Sequence, residues 1–179
     1  MAKSFLLAFI GGSGLYQIED LKNQKWLNIK TPWGSPSDRI LSGTVNNIKV
    51  LFLPRHGKSH IYNPSEINYR ANIYALKKLG ATDIISLSAC GSLKEELSPG
   101  TFVLVDQFID KTILRKKTFF EEGIVAHVSM ANPTSKLLRD ACEEVLKKLE
   151  IKHQNIGTYI AMGGPQFSTK AESESYRKQ

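Results

Sequence analysis

The sequence predicts an α/β protein, one domain over residues 1–179 built on a mixed central β-sheet flanked by helices. Two patterns carry that reading: short apolar, β-rich runs alternate with stretches of helical periodicity, and the runs stop at glycine-containing loops. The third observation is bulk. A chain of 179 residues with 41% hydrophobic and 23% charged residues has the material for one ordinary core, and 13 Gly with 7 Pro exclude collagen-like and low-complexity classes.

The elements follow in order. Residues 5–10 are a continuous apolar run ending at Gly11-Gly12-Ser13-Gly14, as a buried strand entering a tight loop does. Residues 40–45 and 48–53 flank Asn46-Asn47, which tolerate left-handed backbone, and so predict a hairpin. A polar loop follows Pro54, from Arg55 to Asn63. Asn63-Pro64-Ser65-Glu66 has the form of a helix start, with Asn as cap, Pro first and Glu placed to return a bond to the cap. Ile67, Ala71, Ala75 and Leu79 then share one face, Lys77 and Lys78 suit the C-terminal end of the helix dipole, and Gly80 supplies the stop. Residues 82–88 read as another buried strand, and residues 101–105 and 107–109 as a second β-rich pair after the turn Ser98-Pro99-Gly100. Asn132-Pro133 opens a second helix whose stripe, Leu138, Ala141, Cys142, Val145 and Leu149, puts Cys142 in a core. Residues 157–162 form a further strand, and Thr169-Lys170-Ala171-Glu172 is a capping box. The helix it opens has almost no apolar stripe and no strand after it, so the pattern predicts a chain cut within a repeating architecture.

Cys90 and Cys142 are too few for a disulfide framework and lack the spacing of a structural zinc site, which points to a cytoplasmic protein. The apolar run at residues 5–10 is far short of the roughly 20 residues that cross a bilayer. Lys3 before it and the glycine loop after it mimic a signal peptide, but no A-x-A-like cleavage site follows. The 24 basic against 17 acidic residues leave a net charge of +7, which would suit an anionic partner. The basic residues are scattered as Lys77-Lys78, Arg115-Lys116-Lys117 and Lys147-Lys148, without interleaved aromatics. Nucleic acid and membrane are therefore not expected partners.

Four strand-end loops carry candidate chemistry. Gly11-Gly12-Ser13-Gly14 lets backbone N–H groups approach an anion and adds a hydroxyl, or it is a tight turn; it lacks the Lys-Ser/Thr pair of a Walker loop, and Leu15 spoils a G-x-S-x-G elbow. Arg55 in PRHGKSH offers a two-pronged fork for phosphate, or it pairs with a surface carboxylate. His56 and His60 sit in a loop without helical register or an acidic third ligand, so no metal is expected there. Ser86 to Ser92 is small-residue chain at a strand end, where α/β sheets bind ligands, and Cys90 within it reads as a quiet thiol rather than a nucleophile. In Gly163-Gly164-Pro165-Gln166-Phe167-Ser168, Phe167 faces a ring-shaped ligand or fills a core.

Taken in order, IGGSGLY, PRHGKSH with NPSEINYRANIYALKKLG, SACGSL, VLVDQFID and GGPQFSTKAES resemble the methylthioadenosine phosphorylase branch of the trimeric purine nucleoside phosphorylase family, from about Phe5 to the last residue. SACGSL and the F-I-D-K-T segment after Asp106 favour that branch over the inosine and guanosine branch. The resemblance implies the nucleoside phosphorylase fold and phosphorolysis of S-methyl-5'-thioadenosine to adenine and 5-methylthioribose 1-phosphate. That is a pentosyltransferase reaction of purine and methionine salvage, with inorganic phosphate as co-substrate and no cofactor or metal. Its transition state sets a ribosyl cation between an anionic nucleophile and a leaving base, so such an enzyme must position a phosphate and let its charge face the cation.

The resemblance also implies roles. Ser13, Arg55, His56, Ser88 and the Ala89 backbone bind phosphate; His60 lies near the ribose and Phe167 beside the purine. His127 is lent by one subunit to its neighbour's 5'-alkylthio pocket, making a homotrimer part of the site. Gly163 stands where the family usually has Glu and Gln166 where many have Arg, both beside the base pocket. The family continues with a Met-bearing segment for the ribose hydroxyls, an Asp-containing loop that protonates adenine, and a C-terminal helix. The resemblance therefore implies a C-terminally truncated chain, with no assignable catalytic acid and little or no activity of its own.

Three other readings stand beside it. One is the same chemistry on inosine, guanosine or adenosine. Another is a non-catalytic phosphate-binding or assembly remnant. The third, a dinucleotide-binding domain, suffers from Gln17 where the fingerprint needs its third Gly and from Asp38 lacking a complete motif around it.

Overall fold

The computed structural model describes residues 5–12 and 20–179. The chain divides into two compact units, Met1–Ala89 with Lys116–Phe119, and Cys90–Arg115 with Phe120–Gln179.

The first unit is built on a five-stranded mixed sheet of β1 (Leu7–Gly11), β2 (Lys22–Leu27), β3 (Ile40–Val45), β4 (Ile48–Pro54) and β5 (Asp83–Ser86), in the spatial order β2-β3-β4-β1-β5. β1 runs parallel to both β4 and β5, whereas β2, β3 and β4 form an antiparallel meander. The hairpin forms as expected: Asn46 and Asn47 take φ of 48° and 63°, and Val45 pairs with Ile48 across them.

Side-chain alternation gives this sheet two covered faces. Leu6, Ala8, Ile10, Ile40, Leu51 and Leu53 pack with Ala75 and Leu76 of α1 (Tyr69–Lys78). On the other face Leu21, Leu41, Val50 and Phe52 gather with Phe9 and Trp26, and the Phe9 and Phe52 rings stack with centroids 5.0 Å apart.

α1 starts later than the sequence suggests. The bonds foreseen around Asn63 do form: its N–H donates to the Glu66 carboxylate at 2.9 Å, and its side chain accepts from the Ser65 and Glu66 N–H groups. They close an isolated turn. A second Asn wins the cap, because Asn68 accepts from Ala71 N–H while its amide donates to the Trp33 carbonyl at 2.6 Å, tying the helix start to another segment. Gly80, at φ 93°, ends the helix region as expected.

β5 corrects a second expectation. It is shorter than residues 82–88 and half-buried rather than buried, because among the described residues it pairs only with β1 and forms an edge.

In the second unit β6 (Phe102–Val103) pairs in parallel with β8 (His153–Gln154), and β7 (Gln107–Asp110) with β9 (Thr158–Ala161). The β-rich runs on either side of Asp106 thus partner chain that follows α2 (Lys136–Lys148), not each other. Ser135, rather than Asn132, caps α2 by accepting from Leu138 N–H. Its inner face is also rotated from the expected stripe. Leu146 is buried, while Ala141, Val145 and Leu149 are exposed and Cys142 is only half-buried. Leu138, Arg139, Cys142 and Glu143 share the partly covered face with Leu146. α3 (Lys170–Arg177) carries the foreseen capping box, with Thr169 N–H donating to the Glu172 carboxylate and Glu172 N–H to the Thr169 hydroxyl. No helix among the described residues is long and apolar enough to cross a membrane.

Candidate functional site

Three parallel strands end together in the first unit. Gly11 is in register with Pro54, and Ile10 with Ser86, so the loops after β1, β4 and β5 leave one edge of the sheet side by side. α1 carries the chain from β4 past β1 to β5, which makes β1 the point where successive strands fall on opposite sides. Open α/β sheets bind ligands outside the carboxyl ends of strands at such a point.

Arg55 ties the three loops to one another. Its backbone N–H donates to the Gly11 carbonyl at 2.9 Å, extending the β1–β4 ladder by one residue. Its Nη1 donates to the Leu87 carbonyl at 2.7 Å, and its Nε to His56 Nε2 at 3.1 Å. Nη2 faces Gly12, where a Cβ would lie 4.0 Å from it, and among the described residues it has no acceptor. Nor does any described carboxylate pair with this guanidinium, so the alternative of a surface ion pair finds no partner there. Leu87 N–H in turn donates to the Ile10 carbonyl at 2.8 Å, which seats the start of the Ser88-Ala89 loop against β1.

His56 is 8% exposed, the most enclosed of the candidates among the described residues. Its ring Nδ1 lies 2.9 Å from the Tyr62 carbonyl and its backbone carbonyl accepts from Tyr62 N–H, a double stitch that closes the loop. His60 stacks on it with ring centroids 4.1 Å apart and 11° between the planes. Burial, opposed by the bond to Tyr62 and aided by the charges of Arg55 and His60, holds the His56 pKa below the ordinary 6.5. At neutral pH the ring is therefore uncharged. The loop turns at Gly57, whose φ of 71° and whose approach to the Ser37 carbonyl (a Cβ would lie 3.0 Å from it) leave no room for a side chain.

The support behind this loop was not foreseen in the sequence. Asn72 of α1 is 2% exposed and spends both amide atoms on Ser37: Ser37 N–H donates to its Oδ1 at 2.8 Å, and its Nδ2 donates to Ser37 Oγ at 2.9 Å. Asn68 holds the Trp33 carbonyl one turn earlier, and the Trp33 ring meets Tyr74 and Phe119 edge-on. A polar residue one position from the apolar face of α1 was the available signal.

Of the other candidates, Ser13 lies outside the described residues. Ser88 and Ala89 are exposed and directly follow the Leu87 carbonyl that holds Arg55. His60 is exposed, with Ser59 and His60 at φ of 64° and 57°. The remaining two belong to the second unit. His127 is exposed in a stretch without regular secondary structure. Phe167 is 96% exposed, so it fills no core within its unit. Cys90 is exposed and Cys142 is held protonated by burial. No cluster of metal-ligating side chains occurs among the described residues.

The fold and this edge define an α/β protein whose loops after β1, β4 and β5 converge on an arginine. The chain belongs to the Phosphorylase superfamily, whose family model matches residues 6–179. It is similar to the S-methyl-5'-thioadenosine phosphorylase of Rhodospirillum rubrum, with 56% identity over 173 residues, 97% of this chain and 59% of that protein. Among solved structures it resembles a methylthioadenosine phosphorylase from an Antarctic soil metagenomic library (TM-score 0.92, 48% identity, 98% of this chain and 62% of the other). It also resembles the methylthioadenosine phosphorylase of Schistosoma mansoni in complex with adenine (TM-score 0.92, 35% identity, 98% and 71%). The chain thus spans 59% of the length of several curated relatives it matches.

Proposed function

We propose that this chain carries the phosphate side of a site for phosphorolysis of S-methyl-5'-thioadenosine. Phosphate oxygen bonds to the anomeric carbon, the glycosidic C–N bond breaks, its electron pair leaves with the purine, and the purine takes up a proton. The products are adenine and 5-methylthioribose 1-phosphate. The observation that carries the reading is the Arg55 guanidinium, fixed on two of its nitrogens and turned toward Gly12 with the third. A planar cation held this way meets a dianionic nucleophile without reorganising. The names of the similar proteins support the choice of nucleoside.

In this reading Ser13, Arg55, Ser88 and the Ala89 backbone grip phosphate with the His56 segment, His60 serves the ribose, and Phe167 covers the purine. His127 reaches the 5'-alkylthio group of a neighbouring copy in a homotrimer. The proton for the leaving purine is worth about 10² to 10⁴ in rate, and no described residue is assigned to it.

Titration calorimetry with inorganic phosphate tests the reading. Wild type is expected to bind, and Arg55→Met to bind at least about tenfold more weakly, since a charged hydrogen bond is lost. On the same preparation, 5'-methylthioadenosine is expected to bind more tightly than adenosine or inosine, because an apolar pocket rewards the methylthio group. Absence of phosphate binding, or an unchanged Arg55→Met variant, overturns the site. Phosphate binding without turnover favours the non-catalytic reading.

A further inference from the structure

The two ring bonds of His56 admit one chemical state. Arg55 Nε can only donate, so His56 Nε2 must carry a lone pair; Nδ1 must then carry the proton, and it points at the Tyr62 carbonyl, which can only accept. A protonated ring would set two N–H groups head to head at 3.1 Å. Both ring nitrogens are thus spent within the protein, which leaves the imidazole no donor for an anion.

We infer that His56 is a positioning residue: fixed as the neutral Nδ1–H tautomer by Tyr62, it accepts from Arg55 Nε and sets the plane of the guanidinium. Together with the Leu87 carbonyl on Nη1, it constrains Arg55 at two points, so the outer edge over Gly12 keeps one orientation. The inference rests on the proposed anion site but alters the role carried over for His56, from ligand to brace. The charged or titratable groups that act on the ring are Arg55 and the stacked His60, and the segment behind the loop offers Gly57 the neutral Ser37 carbonyl. Burial first, and then the coulombic effects of Arg55 and His60, favour the uncharged ring that the bond to Arg55 requires.

Two measurements on the whole chain test this. First, ¹⁵N ring shifts of the ligand-free wild type report the tautomer directly: His56 is expected neutral with the proton on Nδ1 at neutral pH. A proton on Nε2, or a charged ring, overturns the inference whatever the protein binds. Second, sulfate affinity is followed against pH, sulfate being chosen because it stays a dianion throughout. His56→Gln offers Arg55 an amide oxygen near the Nε2 position, and His56→Asn offers only the Tyr62-facing donor. The Gln variant is expected to hold sulfate within about threefold of wild type and the Asn variant to lose about tenfold. Wild-type affinity should also fall on acidification more steeply than that of the Gln variant, which retains His60. Equal losses in both variants, with wild type binding normally, overturn the positioning role alone. A wild type that binds no sulfate overturns the anion site and the role together.

Discussion

The loop from Arg55 to Tyr62 and the stretch from Ile113 to Met130 are both largely irregular chain, yet they differ in how far their side chains are covered. The first is stitched to the ends of β1 and β5, closed on itself through His56 and Tyr62, and backed by the buried Asn72–Ser37 pair. The second leaves Ile113, Leu114, Val125 and Val128 between 70% and 88% exposed. Irregular backbone becomes a defined site where a covered sheet edge satisfies its polar groups; apolar composition alone does not achieve this.

The sharpest break of that contrast lies in the two sets of leucines. Leu51, fully buried between β3 and β1, is expected to cost about 2–5 kcal/mol as Leu51→Ala, whereas Leu137→Ala on the outer face of α2, 83% exposed, should stay within about 0.5 kcal/mol. Urea unfolding of both variants measures this, and similar losses would show that the second unit hides a comparable core. A smaller effect follows at the brace. Asn72→Leu strands the Ser37 N–H and hydroxyl in a buried place, at about 1–3 kcal/mol. It should weaken phosphate binding as well, because the Ser37 carbonyl abuts Gly57; unchanged affinity would separate this network from the site. The smallest effect is acidification. His56 is held below 6.5 in the folded chain, so between the folded value and about 6.5 the unfolded chain binds more protons. The contribution of His56 is therefore full above about pH 6.5 and is lost as the pH falls toward the folded value. Unfolding midpoints of wild type and His56→Gln across that window should converge on acidification.

Where a local rule acts alone, the sequence was a sufficient guide. Two adjacent asparagines made their turn, and Thr169 with Glu172 made their box. Where two local rules competed, it was not: Asn63 and Asn68 each supply a cap, and only the tertiary bond to Trp33 selects the second. The exposed edge strand β2, KNQKWL, carries little apolar pattern to reveal it, and the inner face of α2 turned because the half-buried Arg139 and Glu143 read as polar. At the site, Arg55 and His56 were legible as residue types suited to phosphate. The group that aims the arginine, the Leu87 carbonyl, was not, since every residue carries one and only the register of β1 with β5 delivers it.

β1 lies between two strands made long after it, Leu7 pairing with Val50 on one side and with Asp83 on the other. β3 and β4 close through the two-residue turn Asn46-Asn47, but the place between β4 and β5 must wait for distant chain. β1 is thus seated on both sides only after both of its later partners are made, and the guanidinium, which holds the Leu87 carbonyl just past β5, gains its full anchorage only then.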